Sequence, residues 1–230
     1  MRIAILGGTG KEGGGLALRW ARREEVVIGS RQQEKAGRIS KELNAKLGEN
    51  LIRGVLNQQA AEEADLVVLT VPYSAHIRTL EGVKEALRGK VLIDTTIPFD
   101  EEKPIRLRPG ELSAAEEAQD FLGPEVHVAA AFETVSFTLL NDLTKEVHGD
   151  VLVCSDHEDA MEQALRLVAF CGFRAVDAGA LRNARVIEAM VPLLIHINRH
   201  YKIKHAGFRV SGLGWCPNMI LTENLDSWSI

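Results

Sequence analysis

Three glycines near the start of the chain have the spacing of a phosphate-binding loop. Gly8, Gly10 and Gly13 form a G-x-G-x-x-G pattern between the apolar run Arg2–Leu6 and a stretch of helical periodicity. In such a loop Gly8 would permit the tight turn out of the strand, Gly10 would let backbone approach a pyrophosphate, and Gly13 would let the helix pack closely on the sheet. The helix N-terminus would offer free N–H groups to the phosphates. The pattern predicts a dinucleotide-binding site; a plain glycine-rich turn is the alternative.

The end of the second predicted strand indicates which dinucleotide binds. NAD-binding proteins usually place an acidic residue there to hold the ribose 2′-hydroxyl, but this chain has Ser30 and Arg31, followed by Lys35. A carboxylate would repel a 2′-phosphate, whereas a guanidinium can bind it through two hydrogen bonds. These residues therefore favour NADP over NAD. The other interpretation is structural, because Ser30 and Gln33 have the spacing of a capping box for the next helix.

The sequence contains no motif typical of a nucleophilic or metal-dependent active site. It has no H-E-x-x-H motif, and His196 and His200, which could share a helix face, have no evident third ligand. Its three cysteines are widely spaced, and Cys154 and Cys171 stand among apolar neighbours, so we expect them to pack in the core. The function is therefore predicted from binding residues, and no residue is assigned a catalytic role.

The elements that must position these residues alternate between strands and helices. We expect strands at residues 2–6, 25–29, 51–55, 65–71, 90–94 and 127–131, and helices at 31–47, 60–64, 75–87 and from a capping box at Ser113. The run 65–71 is nearly all apolar and β-branched, which is typical of a central parallel strand. The alternation predicts an α/β fold, a Rossmann-type doubly wound parallel sheet. Ligands bind at the carboxyl ends of such strands, where Val71, Pro72, Ile97 and Pro98 would lie.

The sequence pattern in the last third of the chain predicts a second, smaller structural unit. Strands at 151–154 and 174–177 would flank a helix over 160–171, and a long helix is expected over about 183–200. We therefore divide the chain into an NADP-binding domain, residues 1–150, and a small C-terminal domain, residues 151–230, at the substrate cleft. The last helix is apolar nearly all round, which requires burial, so we expect a second subunit to cover it in a homodimer. The tail from Gly212 has no assignable pattern.

The composition is that of an ordinary globular protein. The chain has 230 residues, of which 46% are hydrophobic and 26% charged, and its formal net charge is −5. It shows no basic stripe for nucleic acid and no apolar run near the ~20 residues that span a bilayer. The absence of a signal-peptide pattern and of paired cysteine motifs predicts a cytoplasmic protein. Its expected partners are small-molecule coenzymes.

Several stretches together resemble the NADPH-dependent reductases of coenzyme F-420 (F420), the 8-hydroxy-5-deazaflavin carrier. These stretches are residues 2–17, 29–35, 69–72, 113–116, 153–156 and 176–191, so the resemblance extends over nearly all of the chain before the tail. The same motifs resemble, more faintly, the cytosolic domain of the Steap-type ferric reductases, which also carry a membrane domain.

The resemblance implies a role for each matched residue. The residues implied to bind NADP(H) are Thr9, Gly10, Lys11 and Glu12 at the pyrophosphate, Ser30, Arg31 and Lys35 at the 2′-phosphate, and Val71, Ala75, Ile97 and Phe137 near the nicotinamide. Thr134 and Val135 would lie beneath the stacked rings. Glu133 and Ala75 stand where some members have histidine, and Ser136 replaces a proline. For Glu133, a solvated loop position is the other interpretation.

The reaction implied by the resemblance is direct hydride transfer between C4 of the nicotinamide and C5 of the deazaflavin. Both rings carry hydride by themselves, so the protein would supply orientation and a dry slot. One alternative is an NADPH-dependent reductase of a flavin or a small imine or carbonyl compound, for which Tyr73 and His76 are the available proton donors. Another is a non-catalytic NADP-binding redox sensor whose tail after Gly212 contacts a partner.

Overall fold

The computed structural model of the protein describes residues 1–99, 112–213 and 220–221. Its strands are β1 (Arg2–Leu6), β2 (Glu25–Ser30), β3 (Ile52–Leu56), β4 (Leu66–Leu69), β5 (Val91–Asp94), β6 (His127–Ala130), β7 (Asp150–Ser155), β8 (Arg174–Asp177) and β9 (Ile220–Leu221). Its helices are α1 (Lys11–Trp20), α2 (Gln33–Leu47), α3 (Asn57–Glu63), α4 (His76–Glu81), α5 (Lys84–Leu87), α6 (Ala114–Leu122), α7 (Phe137–Leu140), α8 (Glu158–Phe170) and α9 (Ala184–His200). Short 3-10 helices cover Tyr73–Ala75 and Leu181–Asn183.

The strands of this part of the chain form a single sheet in the order β3-β2-β1-β4-β5-β6-β7-β8-β9. Every neighbouring pair is parallel except β6 and β7, which are antiparallel. β1 lies between β2 and β4, with Leu6 opposite Gly29 on one side and Leu69 on the other. The strand order therefore reverses at β1, as the doubly wound fold predicted from the sequence requires.

Both faces of the sheet are buried under helices. Along β1, Ile3 and Ile5 belong to one apolar cluster and Ala4 and Leu6 to another. Successive side chains of a strand point to opposite faces, so a strand that is apolar from Ile3 to Leu6 indicates a sheet covered on both sides. Trp20 anchors α1 to α8 because its indole N–H donates a hydrogen bond of 2.9 Å to the Leu167 carbonyl.

The predicted elements are confirmed with shifts of a few residues at their ends, but one predicted helix is wrong. Residues 75–87 do not form one helix, since the 3-10 helix, α4 and α5 follow each other with Gly82 and Val83 between α4 and α5. Gly82 is the C-cap of α4, and glycine has a low propensity to continue a helix. The capping box at Ser113 is confirmed. The charged, proline-containing stretch 99–109, for which the sequence predicts a loop, lies mostly outside the described residues.

The C-terminal unit continues the same sheet. β7 pairs with β6, and β9, which the sequence pattern did not indicate, extends the sheet beyond β8. The division of the chain near residue 150 stays a prediction. In α9 one face is buried, but Val186 and Leu193 are 59% and 53% exposed, so the expectation of burial all round is not met within one chain. No helix in residues 1–99, 112–213 and 220–221 is long and apolar enough to cross a bilayer.

A buried ion pair fastens the segment that follows α9. Arg174 and Asp150 lie side by side at the starts of β8 and β7 with fully buried side chains, and their guanidinium and carboxylate form two hydrogen bonds of 2.8 and 2.5 Å. Arg174 also donates to the carbonyls of Val210 and Leu213, while Asp150 accepts the backbone N–H of Val210. This pair therefore holds residues 210–213 against the sheet.

Replacement of Arg174 by methionine should lower the free energy of unfolding by about 3 kcal/mol, because it leaves the Asp150 carboxylate buried without a cation. Urea unfolding followed by circular dichroism measures the change. The control is Arg38→Met, since Arg38 forms an exposed pair with Glu42 and should cost less than about 1 kcal/mol. Equal effects of the two substitutions would contradict the prediction.

Candidate functional site

A groove of three adjoining cavities follows the carboxyl ends of the strands. The first cavity, about 380 Å³, lies at the ends of β1, β2 and β4; the second, about 470 Å³, at the ends of β1, β4 and β5; and the third, about 700 Å³, beyond β5 and β6. The first and second share Gly10, Thr70, Val71 and Pro72, and the second and third share Glu12, Ile97 and Phe99. The groove therefore crosses the point where the strand order reverses, the usual ligand position in this fold.

The first cavity carries an exposed pair of cations. It is lined by Thr9, Ser30, Arg31, Lys35 and Ala75 in addition to the shared residues. Arg31 and Lys35 are exposed, and no described residue forms an ion pair with either of them. Two such cations beside the end of β2 form a site suited to a phosphate group.

The capping-box interpretation of Ser30 is wrong. Helix α2 begins at Gln33 with Gln32 as its N-cap, and no side chain caps it. The Ser30 hydroxyl instead accepts a hydrogen bond of 3.2 Å from the Gln32 backbone N–H, which closes the turn before α2. This turn leaves Arg31 outside the helix and beside the cavity.

The glycine loop is as tightly packed as its spacing predicted, but the residue that makes the turn differs from the predicted one. The turn out of β1 is made by Gly7, whose φ of 79° lies in the left-handed region, and not by Gly8. Gly8 is required for packing, because a Cβ there would lie 2.7 Å from Cβ of Ile28 on β2. A Cβ on Gly13 would lie 2.5 Å from the Thr70 hydroxyl and 2.8 Å from Cα of Gly8. Gly8 and Gly13 thus shape the groove without lining the three cavities.

The second cavity lies at the N-terminus of α1. Lys11 and Glu12 in the first turn of α1 line it, together with Tyr73, Thr95 and Thr96. A Cβ on Gly10, the N-cap, would meet only the Gly7 carbonyl oxygen, at 3.2 Å, so the space above the loop is open. The backbone N–H groups of the first helical turn have no partners within the helix, so this end of α1 can bind the negative charge of a pyrophosphate.

The third cavity is larger and mostly apolar. Its walls come from residues 133–138, from α9 and from residues 204–206. Val135 and Phe137 line one side, and Val191, Leu194 and Ile195 of α9 line the other. The Lys11 ammonium lies 5.0 Å from the centre of the Phe137 ring, a cation–π contact that joins this wall to α1. The cavity has the size and lining of a site for a flat ring system.

Each cavity contains a buried side-chain oxygen that has no hydrogen-bond partner in the described part of the chain. These atoms are Asn57 Oδ1 in the first cavity, Thr96 Oγ1 in the second and Glu133 Oε2 in the third. Buried polar atoms in proteins are nearly always hydrogen-bonded. The three atoms are therefore available to form hydrogen bonds with groups that enter the groove.

Carboxyl groups with raised pKa values border the second and third cavities. Burial raises the pKa of Glu12 to about 8, opposed by a hydrogen bond from Thr95 and assisted by the charge of Asp94. Burial also raises the pKa of Glu133 well above its ordinary value. Glu133 is only 5% exposed, so the interpretation of this residue as a solvated loop position is wrong.

The two candidate proton donors of a carbonyl reductase are already engaged. His76 is buried with Nε2 2.5 Å from an Asp94 carboxylate oxygen, and it does not line the three cavities. Tyr73 lines the second cavity, but its hydroxyl donates a hydrogen bond of 2.6 Å to Glu117. This geometry favours neither residue as a free acid at the groove.

Most of the residues predicted from the sequence line one groove. The four residues implied near the nicotinamide, however, are spread over all three cavities. Of these four, Ala75 lines only the first cavity, Val71 the first and second, Ile97 the second and third, and Phe137 only the third. Thr134 and Val135 line the third cavity, whereas Pro98 is buried outside all three. His196 and His200 stack at 6.0 Å on α9.

Sequence reasoning missed several lining residues. Thr70, Thr95 and Thr96 follow β4 and β5 directly, so their position at strand ends was a usable signal. The α9 residues of the third cavity, which include Asn198, and Lys204 beyond the helix had no such signal, because only tertiary packing brings them to the groove.

Comparison with known proteins identifies the family. A model of the family described as "NADP oxidoreductase coenzyme F420-dependent" matches residues 2–98. The F420-dependent NADP reductase of Methanothermobacter marburgensis is 46% identical over 224 residues, which cover 93% of this chain and 99% of that protein. The chain belongs to the F420-dependent NADP reductase family. The resemblance noted in the sequence is thereby confirmed.

Two further matches extend the reductase family assignment. A crystal structure of a candidate F420-dependent NADP reductase from Arthrobacter sp. FB24 superposes with a TM-score of 0.79 at 25% identity, covering 91% of this chain and 98% of that one. Metalloreductase STEAP3 of Rattus norvegicus is 28% identical over 168 residues, which are 73% of this chain but 31% of that protein. The fainter resemblance is thus confirmed for one part of a longer relative.

Replacement of Gly13 by alanine should destabilise this family member and weaken its binding of NADPH. The new methyl group would collide with backbone at Gly8, and overpacking of this kind costs about 1–3 kcal/mol. Thermal unfolding and titration of NADPH measure the two effects.

The neighbouring glycine supplies a matched control. A Cβ on Gly14 would meet Leu43 at an ordinary 3.6 Å, so Gly14→Ala should raise stability by about 0.5–1 kcal/mol, the usual gain of alanine over glycine in a helix. If the two variants behaved alike, close approach of α1 at Gly13 would not be the constraint that we describe.

Proposed function

We propose that this protein transfers a hydride between NADP(H) and the deazaflavin coenzyme F420. The observation that carries the proposal is the continuity of the groove: the second and third cavities share Glu12, Ile97 and Phe99. A nicotinamide in one and a deazaflavin in the other would meet across this shared wall. Membership of the F420-dependent NADP reductase family supports the same pair of coenzymes.

In this proposal the coenzymes supply the redox chemistry and the chain supplies binding and exclusion of water. Nicotinamide and deazaflavin both accept and release hydride, so no protein nucleophile or metal is required. The apolar walls of the third cavity, with Val135 and Phe137 on one side and Leu194 on the other, would hold the ring and keep water away. The rate then depends on the alignment of two carbon atoms.

The proposed binding roles follow the positions along the groove. Arg31 and Lys35, with Ser30, would bind the 2′-phosphate in the first cavity. Thr9, Gly10, Lys11 and Glu12 would surround the pyrophosphate at the N-terminus of α1. Of the other predicted residues, Ala75 would contact NADP in the first cavity, Val71, Pro72 and Ile97 would approach the nicotinamide, and Thr134, Val135 and Phe137 would contact the deazaflavin.

We also propose that the protein is a homodimer formed through α9. Val186 and Leu193 are large apolar side chains that stay more than half exposed on this helix. Exposed apolar side chains on one face of a helix are a common feature of subunit interfaces. The opposite face of α9 lines the third cavity through Val191 and Leu194, so a partner subunit would brace the wall of the site.

We propose a cytoplasmic location because the two described cysteines are free thiols. Cys154 and Cys171 are buried and free, and burial raises the pKa of each to about 12. Unpaired, unreactive cysteines suit a reducing compartment. Cys216 lies outside the described residues.

Purified protein should bleach the absorbance of F420 with NADPH much faster than with NADH, and Arg31→Ala should remove most of that preference. Loss of a charge-assisted contact to phosphate, worth about 1.5–3 kcal/mol, should weaken NADPH binding by about 10- to 100-fold. Binding of NADH, which has no 2′-phosphate, should change little. Steady-state kinetics and equilibrium titration of both nucleotides give the comparison.

The control for this experiment is Arg38→Ala, an exposed arginine farther along α2 that pairs with Glu42. It should leave both nucleotide affinities unchanged. FMN and FAD serve as alternative acceptors. Turnover with a flavin but not with F420 would refute the proposed acceptor while leaving the NADP site in place.

Leu193→Lys should convert the protein from dimer to monomer, because it places a charge in the proposed apolar interface. Light scattering after size-exclusion chromatography measures the mass. Ile77→Lys, which changes a 37% exposed residue on α4, should remain dimeric. A monomeric wild-type protein would refute the proposal.

A further inference from the structure

Glu133 is a buried acid in the wall of the third cavity. Glu133 comes shortly after β6 in the chain. It is only 5% exposed although it lines the cavity. Its Oε2 atom has no hydrogen-bond partner among the described residues. A buried carboxyl oxygen in this situation is expected to bond to whatever occupies the cavity.

The backbone before Glu133 is held in an uncommon conformation. Phe132 has a φ of 74°, which is rare for a bulky residue. Its side chain is completely buried and packs edge-on against Trp20, with ring centres 5.8 Å apart. This packing fixes the turn that takes the chain from the end of β6 into the cavity wall.

The groups around Glu133 favour its protonated form. Burial raises its pKa well above the ordinary value, and a hydrogen bond from its own backbone N–H opposes the rise. The nearby acids Glu188 on α9, Asp94 on β5 and Glu12 on α1 add to the rise. The Cys154 thiol on β7 is neutral as well, because burial raises its pKa to about 12. His76 is paired with Asp94, and the cation of the cavity wall, Lys204, is exposed.

We propose that Glu133 is the proton donor to the deazaflavin when NADPH reduces it, and the proton acceptor in reverse. The inference rests on the proposed function. A hydride takes both electrons of the C4–H bond of NADPH and forms a C–H bond at C5 of the deazaflavin, which leaves NADP⁺ and a reduced ring that needs one proton. The O–H bond of Glu133 breaks, the proton bonds to a ring nitrogen, and the glutamate is left as a carboxylate. Water returns a proton when product leaves.

This assignment gives the acid a chemical reason to be neutral. A carboxylate could not donate a proton, and in an apolar cavity it would also be costly to bury. A protonated carboxyl can both donate to the ring and remain in the cavity wall. The reverse reaction releases a proton, which the Glu133 carboxylate would take up.

The first test is Glu133→Gln, which keeps the size and removes the titrating proton. We expect kcat for F420 reduction to fall by about 100-fold or more, the usual contribution of a general acid, with NADPH affinity unchanged. In the wild type, kcat for F420 reduction should fall as pH rises through the raised pKa of Glu133, whereas kcat for the reverse reaction should rise. The glutamine variant should lose both dependences. Wild-type rates and pH profiles in the variant would overturn the proposal.

Glu188→Gln is the matched control. Glu188 is also buried, with a pKa raised by burial to about 8, but it accepts the Ala114 backbone N–H at 2.8 Å and does not line the cavity. This variant should keep the low-pH rate within about twofold, since it removes no donor from the cavity. A loss as large as that of the Glu133 variant would mean that any buried carboxyl in this region is structurally required, and would overturn the proposal.

A measurement without F420 separates this inference from the proposed function. Infrared difference spectra of wild type minus Glu133→Gln, both with NADP⁺ bound, should contain the carbonyl stretch of a protonated carboxyl at neutral pH. Its absence would overturn the proposal even in an active enzyme. If the band is present but the wild type does not reduce F420, the proposed acceptor is refuted and the protonated acid stands.

Discussion

The close approach of α1 to the ends of β1 and β4 is the constraint on which the rest of the groove depends. Gly13 touches Gly8 and Thr70 at distances that leave no room for a methyl group. Because of this contact, the N-terminus of α1 stands directly over the reversal of strand order, where the first and second cavities meet. The helix therefore presents its free N–H groups at the place where a dinucleotide can cross the sheet edge.

The groove changes its electrostatic character along its length. At the first cavity Arg31 and Lys35 are exposed cations, while the wall of the third cavity contains the buried acid Glu133 beside Glu12. Burial and neighbouring carboxylates favour the neutral form of that acid. One end can thus attract a charged phosphate while the other stays apolar enough to hold a ring system. Both properties follow from how deeply each titratable residue is buried.

Most of the fold could be predicted from the sequence because its signals are local. Apolar runs of strand length, the glycine spacing after β1 and the capping box at Ser113 are each contained within a few residues, and the structure confirms them. The break at Gly82 and the short pairing of β9 with β8 were missed. A two-residue strand has no periodicity, and it exists only because an open strand edge is available to it.

The sequence by itself determined the doubly wound sheet, the position of the glycine-rich loop and the cation pair after β2, since each depends on residue type and spacing along one stretch of chain. Tertiary structure alone decided that Gly7 and not Gly8 makes the turn, that α9 closes the third cavity, and that Glu133 is buried beside Glu12 and Asp94. Those features depend on residues far apart in the chain, and burial, which sets the charge of an acid, is a property of the packed molecule.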